Sequence, residues 1–260
     1  MTPSASIWNR APQRGGPSQL HLLNHTSGIP NYTTFPDIRQ MKYQGVGPEG
    51  LIAEIESKPL DSTPGEKFAY SNSGYVVLGC VIQKVSGETY AERKNIFDPL
   101  GMKDTGHEMT RAIVSLCAAG YEWSNHALQN ADFVDMSIAF SAGALYSTAE
   151  DLLRWDAALY TDKLISQKSL DAMFTPFESN AASGGFVDTD KQGRKWLVHD
   201  GRIDGFRSFI ARYPTADSTL RERSRTLPRS PYRLPSLIWK MMIRNSNSLG
   251  RFEAKREPGR

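Results

Sequence analysis

No run of about 18 apolar residues occurs, so the sequence offers no membrane-spanning helix. The start, Met1 to Leu23, carries Pro, Gly, Ser and Arg but no apolar h-region. No secretory signal is read there, and a cytoplasmic location is expected. Cysteine is scarce. Cys80 and Cys117 stand apart with apolar neighbours and no ligand spacing, which excludes a disulfide scaffold and predicts two reduced core residues. No glycine-rich phosphate loop is present. The most consequential absence is Ser-x-x-Lys: no residue three before a lysine is serine. These 260 residues therefore hold no serine nucleophile activated by a lysine one helical turn away.

What is present suits a globular protein. With 260 residues, 39% hydrophobic and 23% charged, the chain can bury one large core or form two modest domains. The net charge of +3 is unevenly spread. Residues 1–217 hold 20 Lys+Arg against 25 Asp+Glu, and residues 218–260 hold 11 against 3. The arginines of that tail are scattered among Ser and Pro with no aromatic stripe between them. A disordered tail without a nucleic-acid partner is expected. The chain is thus read as an irregular start over 1–19, a folded part over 20–217, and a basic tail over 218–260.

Within the folded part, Leu20 to Asn24 is a short apolar stretch ended by the turn chemistry of His25 to Pro30. Leu51, Ile52 and Ile55 predict a helix over Pro48–Ser57. After the turn at Pro64-Gly65, Tyr75, Leu78, Val81, Ile82 and Val85 predict a helix from Asn72 to its stop at Gly87. Ser71 or Asn72 can cap it. A second helix is expected over Tyr90–Phe97, broken at Pro99. Ser147 to Glu150 reads as a capping box for a helix carrying Leu152, Trp155 and Leu159. Ala142-Gly143-Ala144 just before it predicts a close backbone approach. Trp196–His199 and Phe206–Tyr213 read as strands joined by a link over Asp200–Gly205. Asn24-His25-Thr26 and Asn31-Tyr32-Thr33 match the glycosylation pattern, and without a secretory signal both are read as chance.

The order of five segments carries a resemblance. They are Leu22–Pro30 with His25-Thr26-Ser27-Gly28, Pro64–Tyr75 with Tyr70-Ser71-Asn72, Ile96–Met102, Ser141–Leu152, and His199-Asp200-Gly201. In this order they resemble the β-lactamase-related serine hydrolases: class C β-lactamases, D-alanyl-D-alanine carboxypeptidases and similar esterases. The resemblance runs from about Leu20 to Pro214. It implies an α/β (α+β) fold of the β-lactamase/transpeptidase type, an antiparallel sheet flanked by helices, here incomplete. It also implies acyl transfer through an acyl-serine on small amides, esters or β-lactams, with no cofactor. Tyr70 matches the family's proton shuttle, and Asn72 matches the residue that bonds the substrate amide. His199 matches the Lys or His of the third motif. Gly201 matches the glycine that leaves room for substrate, and Arg202 falls where a backbone N–H forms half of the oxyanion hole. A positive charge beside such a tyrosine would favour its phenolate.

Both ends depart from the family pattern, as in a chain truncated at each end. The nucleophile helix would lie upstream, and a further strand and helix would follow Pro214. Three readings stay open: an acyl-serine hydrolase, a non-catalytic member that binds a small-molecule ligand, and a gene fragment without activity. His199 in place of lysine attracts a substrate carboxylate less, which favours esters or uncharged amides. His25 is expected to hold its turn, and His21, His107 and His126 to be packing or surface residues. Asp188 and Asp190 are read as a solvated turn, with no metal.

Overall fold

The apolar spacings fold as helices in a computed structural model that describes residues 16–90, 95–191 and 193–213. In chain order the helices are α1 (Gln19–Leu23), α2 (Ile38–Gln44), α3 (Gly47–Glu56), α4 (Asn72–Ser86), α5 (Phe97–Leu100), α6 (Phe140–Gly143), α7 (Ala149–Ala158) and α8 (Gln167–Met173). Leu51, Ile52 and Ile55 of α3 are buried against Val76 and Val77 of α4 and Leu22 of α1 in one core cluster. Gly87 ends α4 with φ +72 and its N–H on the Gln83 carbonyl at 3.0 Å, a left-handed stop that glycine adopts without strain. The stretch Leu20–Asn24 is itself helical: Ser18 Oγ accepts the His21 N–H, and His21 Nδ1 accepts the Ser18 N–H.

Three local expectations shift. The cap of α7 is Thr148, whose Oγ1 accepts the Asp151 N–H at 3.2 Å, one residue later than the Ser147–Glu150 box. The reason is Asp151, which is fully buried and accepts from the Asp104 N–H and the Thr105 hydroxyl, both at 2.8 Å. Ser147 is left to bond Thr105. The close approach lies at Gly79 rather than at Gly143. A Cβ on Gly79 would overlap Ser141 and lie 2.7 Å from Phe140 Cε1, whereas one on Gly143 would meet only Ala139 at 3.9 Å. Residues 91–94 of the helix expected over Tyr90–Phe97 lie outside the described residues; the helix seen is α5, with Pro99 inside it and Gly101 (φ +67) ending it. Cys80 is half-buried, but Cys117 is exposed rather than a core residue.

The main sheet is antiparallel, in the order β5 (Ala181–Ala182), β6 (Gly185–Thr189), β7 (Lys195–Ile203) and β8 (Phe206–Arg212). Two two-stranded ribbons accompany it: β1 (Gly106–His107) with β4 (Leu145–Tyr146), and β2 (Tyr121–Ser124) with β3 (Ala127–Asn130). The link between β7 and β8 is shorter than expected. Ile203 opposes Phe206, so Asp204-Gly205 alone turns the chain and Asp200–Ile203 belong to β7. Gly205 has φ +78, a left-handed conformation that glycine adopts without strain.

A buried ion pair fixes the sheet to the helices. Arg212 Nε of β8 donates to Asp156 Oδ1 of α7 at 2.9 Å, with the two residues 4% and 6% exposed. The guanidinium also lies over the rings of Tyr160 (4.2 Å) and Phe174 (5.0 Å). Among the described residues no helix is long and apolar enough to cross a membrane. The expected disordered tail, 218–260, lies outside the described residues, as does most of the irregular start.

Candidate active site

The turn after α1 clamps the segment that precedes α4. Gly65 N–H donates to the Thr26 carbonyl at 2.7 Å, and Ala69 N–H to the His25 carbonyl at 2.8 Å. His25 sits in the left-handed region (φ +59), 4% exposed, and its Nδ1 accepts the Ser71 N–H at 3.2 Å. Its ring lies 4.3 Å from that of Tyr70 and 5.2 Å from that of Tyr75. The turn-holding role expected of His25 is thus visible in its bonds.

Burial pushes the His25 pKa down to about 4, and nearby His199 adds to this. The sign of the effect on stability follows. The unfolded imidazole, near pH 6.5, takes a proton before the folded one does. The stabilisation by neutral His25 is complete above pH 6.5 and lost as pH falls toward 4. The loss should approach about 3 kcal/mol in urea unfolding between pH 7 and pH 4. Asn tolerates positive φ and cannot titrate, so His25→Asn should flatten that slope. An equally steep fall in the variant would rule out His25 as its source.

Tyr70 is 42% exposed and extends its hydroxyl toward Asn72 Oδ1 at 3.5 Å. Its pKa is raised, first by burial and then by the carboxylate of Asp200. The positive charge that would favour a phenolate is not what stands beside Tyr70: burial and, after it, the Asp200 carboxylate favour the neutral phenol. Asn72 is the first residue of α4, and both its N–H and its Nδ2 reach Asn31 Oδ1, at 3.2 and 3.4 Å. Neither Ser71 nor Asn72 makes the expected side-chain cap: Ser71 occupies the cap position, but its Oγ is buried without a partner.

β7 brings the other half. Among the described residues, β6 pairs with Lys195–Val198, and from His199 onward β7 has β8 on one side alone. The open edge begins at His199 and Asp200, whose charges act on His25 and Tyr70 respectively. Phe186 of β6 bridges the two halves, its ring 6.1 Å from Phe68 and 6.3 Å from His199. His199 lines a largely apolar pocket together with Trp155, Phe174, Leu197, Ile210 and Arg212. Gly201 has a tight neighbour within the sheet: a Cβ there would overlap Ser208 Oγ of β8. Arg202 is exposed and lies opposite Arg207 of β8.

The structure therefore places Tyr70 and His199 near His25, and Asn72 beside Tyr70, with Gly201 and Arg202 further along the open strand. Two contributors escaped the sequence reading. Asn31 was read only as part of a chance glycosylation match, although Pro30-Asn31 before a 3-10 turn is a capping signal. Asp200 was read only as the middle of a motif. The remaining candidates lie elsewhere: His107 packs on Tyr90 and Phe140, His126 is exposed, and Asp190 pairs with Arg194 at 2.8 Å. Among the described residues no cluster of His, Cys, Asp and Glu is arranged to hold a metal ion.

The β-lactamase family model matches residues 3–221. PbpX of Bacillus subtilis (strain 168) is 35% identical over 171 residues, 64% of this chain and 41% of that protein. The chain thus spans about two fifths of that relative's length. Among solved structures, a D-stereospecific amidohydrolase from Streptomyces sp. superposes with a TM-score of 0.71 at 27% identity, over 82% of this chain and 72% of that one. A penicillin-binding protein from Bacillus halodurans does so with a TM-score of 0.65 at 26% identity, over 75% of this chain and 63% of that one.

Proposed function

The chain belongs to the β-lactamase family of serine hydrolases, and on that premise we propose that its cleft binds small amides, esters or β-lactams and supplies the proton-handling and substrate-holding wall of acyl transfer. The fold is of the β-lactamase/transpeptidase type. The observation that carries the reading is that Tyr70, beside Asn72 and His25, lies near enough to β7 for Asp200 to act on its phenol, as His199 acts on His25. In this reading Tyr70 moves the proton, and Asn72 bonds the amide of the substrate. His199 faces the bound group, and the strand beyond it, Gly201 and Arg202, lies along the substrate backbone. An oxyanion hole needs a second N–H, which in this chemistry comes from the nucleophile itself.

The same residues support binding without acylation in these 260 residues. No Ser-x-x-Lys is among them, and the Tyr70 phenol is held in its protonated form by burial and by Asp200. Ser71 lies beside Tyr70 and Asn72, but it is 2% exposed, and the residue three positions on is Gly74 rather than a lysine. Intact-mass measurement after incubation with a fluorophosphonate should therefore show the unmodified mass. A stoichiometric adduct on one serine would overturn this reading and place the nucleophile within the chain.

A further inference from the structure

Asn31 holds the Asn72 amide in one orientation. It caps the 3-10 turn Tyr32–Thr34, where its Oδ1 lies 3.4 Å from the Thr33 nitrogen. The same oxygen takes the Asn72 backbone N–H at 3.2 Å and Asn72 Nδ2 at 3.4 Å. With its nitrogen end turned to Asn31, Asn72 directs Oδ1 toward the Tyr70 hydroxyl, 3.5 Å away. A contact of that length is weak, so Oδ1 keeps most of its capacity to accept. Tyr70 is 42% exposed, which leaves this pair reachable from the cleft.

We propose that Asn31 is a positioning residue that presents the Asn72 carbonyl oxygen to the cleft, so that the cleft selects ligands carrying an N–H donor, secondary amides, over the isosteric esters. The proposal rests on the cleft reading given above and narrows its substrate class. An ester matches a secondary amide in shape but has an ether oxygen where the amide has N–H. Against Asn72 Oδ1 that oxygen opposes one acceptor with another. A polar group desolvated without its partner is the commonest source of strong discrimination between isosteres. The second hydrogen on Asn72 Nδ2 does not change the preference, since it serves the carbonyl of either ligand equally.

The test uses the full chain labelled with ¹⁵N and titrated with N-benzylacetamide and with benzyl acetate, reading each Kd from amide chemical shifts. The amide should bind roughly 2- to 10-fold more tightly, the worth of one net hydrogen bond. Asn31→Ser retains a good cap for the 3-10 turn but is too short to hold the Asn72 side chain, and should bring the ratio to about 1. Asn31→Asp retains an acceptor for both Asn72 N–H groups and should restore the preference. A merely structural Asn31 would lower the Tm and weaken both ligands together, leaving the ratio where it was. A ratio near 1 in the unaltered chain, or an unchanged ratio in Asn31→Ser, overturns the inference while the cleft reading stands. No shift at Tyr70, Asn72 or His199 with either ligand overturns the cleft reading, and the inference with it.

Discussion

Joined to the Ser-x-x-Lys segment and the C-terminal elements of a complete relative, the chain should hydrolyse an activated ester, and Tyr70→Phe in that chimera should lower turnover by roughly 10²–10⁴-fold. The size is that of a positioned acid–base group. Tyr70 is placed for such work: its ring lies against that of His25 at 4.3 Å, its hydroxyl points at Asn72, and it is 42% exposed. Alone, its phenol is pushed up by burial and by Asp200. A lysine brought within about 4–6 Å would favour the phenolate and oppose both effects. The substitution keeps the ring and its contact with His25, so KM should change much less than kcat. If the chimera folds and turns over the ester equally well with Phe at position 70, Tyr70 only packs, and the assignment of the Tyr70-Ser71-Asn72 motif fails.

The second large effect is on stability. Asp156→Ala should cost about 3–5 kcal/mol, because it strands the Arg212 guanidinium in the interior. Arg212 is 4% exposed, and its Nη2 already lacks a hydrogen-bond partner. The Tyr160 and Phe174 rings on either side attract the cation but accept no strong hydrogen bond from it. Replacing both partners, Asp156→Leu with Arg212→Met, removes the uncompensated charge and should recover much of the loss. The measurement is urea unfolding of the three proteins with a shared slope. A cost below about 1 kcal/mol for Asp156→Ala would mean that water reaches Arg212 and that the pair does not fix β8 to α7. The same pair sets the lateral position of β8, on which β7 and its open edge rest.

These outcomes bear on how much was legible beforehand. The helices α3 and α4 were readable because a helix needs only local information: apolar residues three and four apart, and a glycine where the chain must turn left-handed. The motif residues were readable as types at fixed spacing, and their order along the chain carried the family. The capping of α7 was misplaced by one residue because Thr148 and Ser147 are equally good caps in isolation. The tie is broken by Asp151, which Asp104 and Thr105 require in the interior. The hairpin link was overestimated because Gly201 looked like a turn residue, when its lack of a side chain serves contact with Ser208.

By itself, then, the sequence determined the helical core, the glycine stop at Gly87 and the family, since each follows from local spacing, side-chain type and the order of the motifs. It also showed that Ser-x-x-Lys is absent from these 260 residues. Only the tertiary structure decided what surrounds the motif residues. His25 and His199 are far apart in the chain, yet His199 comes near enough to help lower the His25 pKa. Asn31, separated from Asn72 by 41 positions, sets which end of its amide faces Tyr70. Asp200, not a lysine, is the charge beside the tyrosine. Orientation, burial and the sign of the nearest charge depend on contacts between distant segments, and those contacts exist only once the chain has folded.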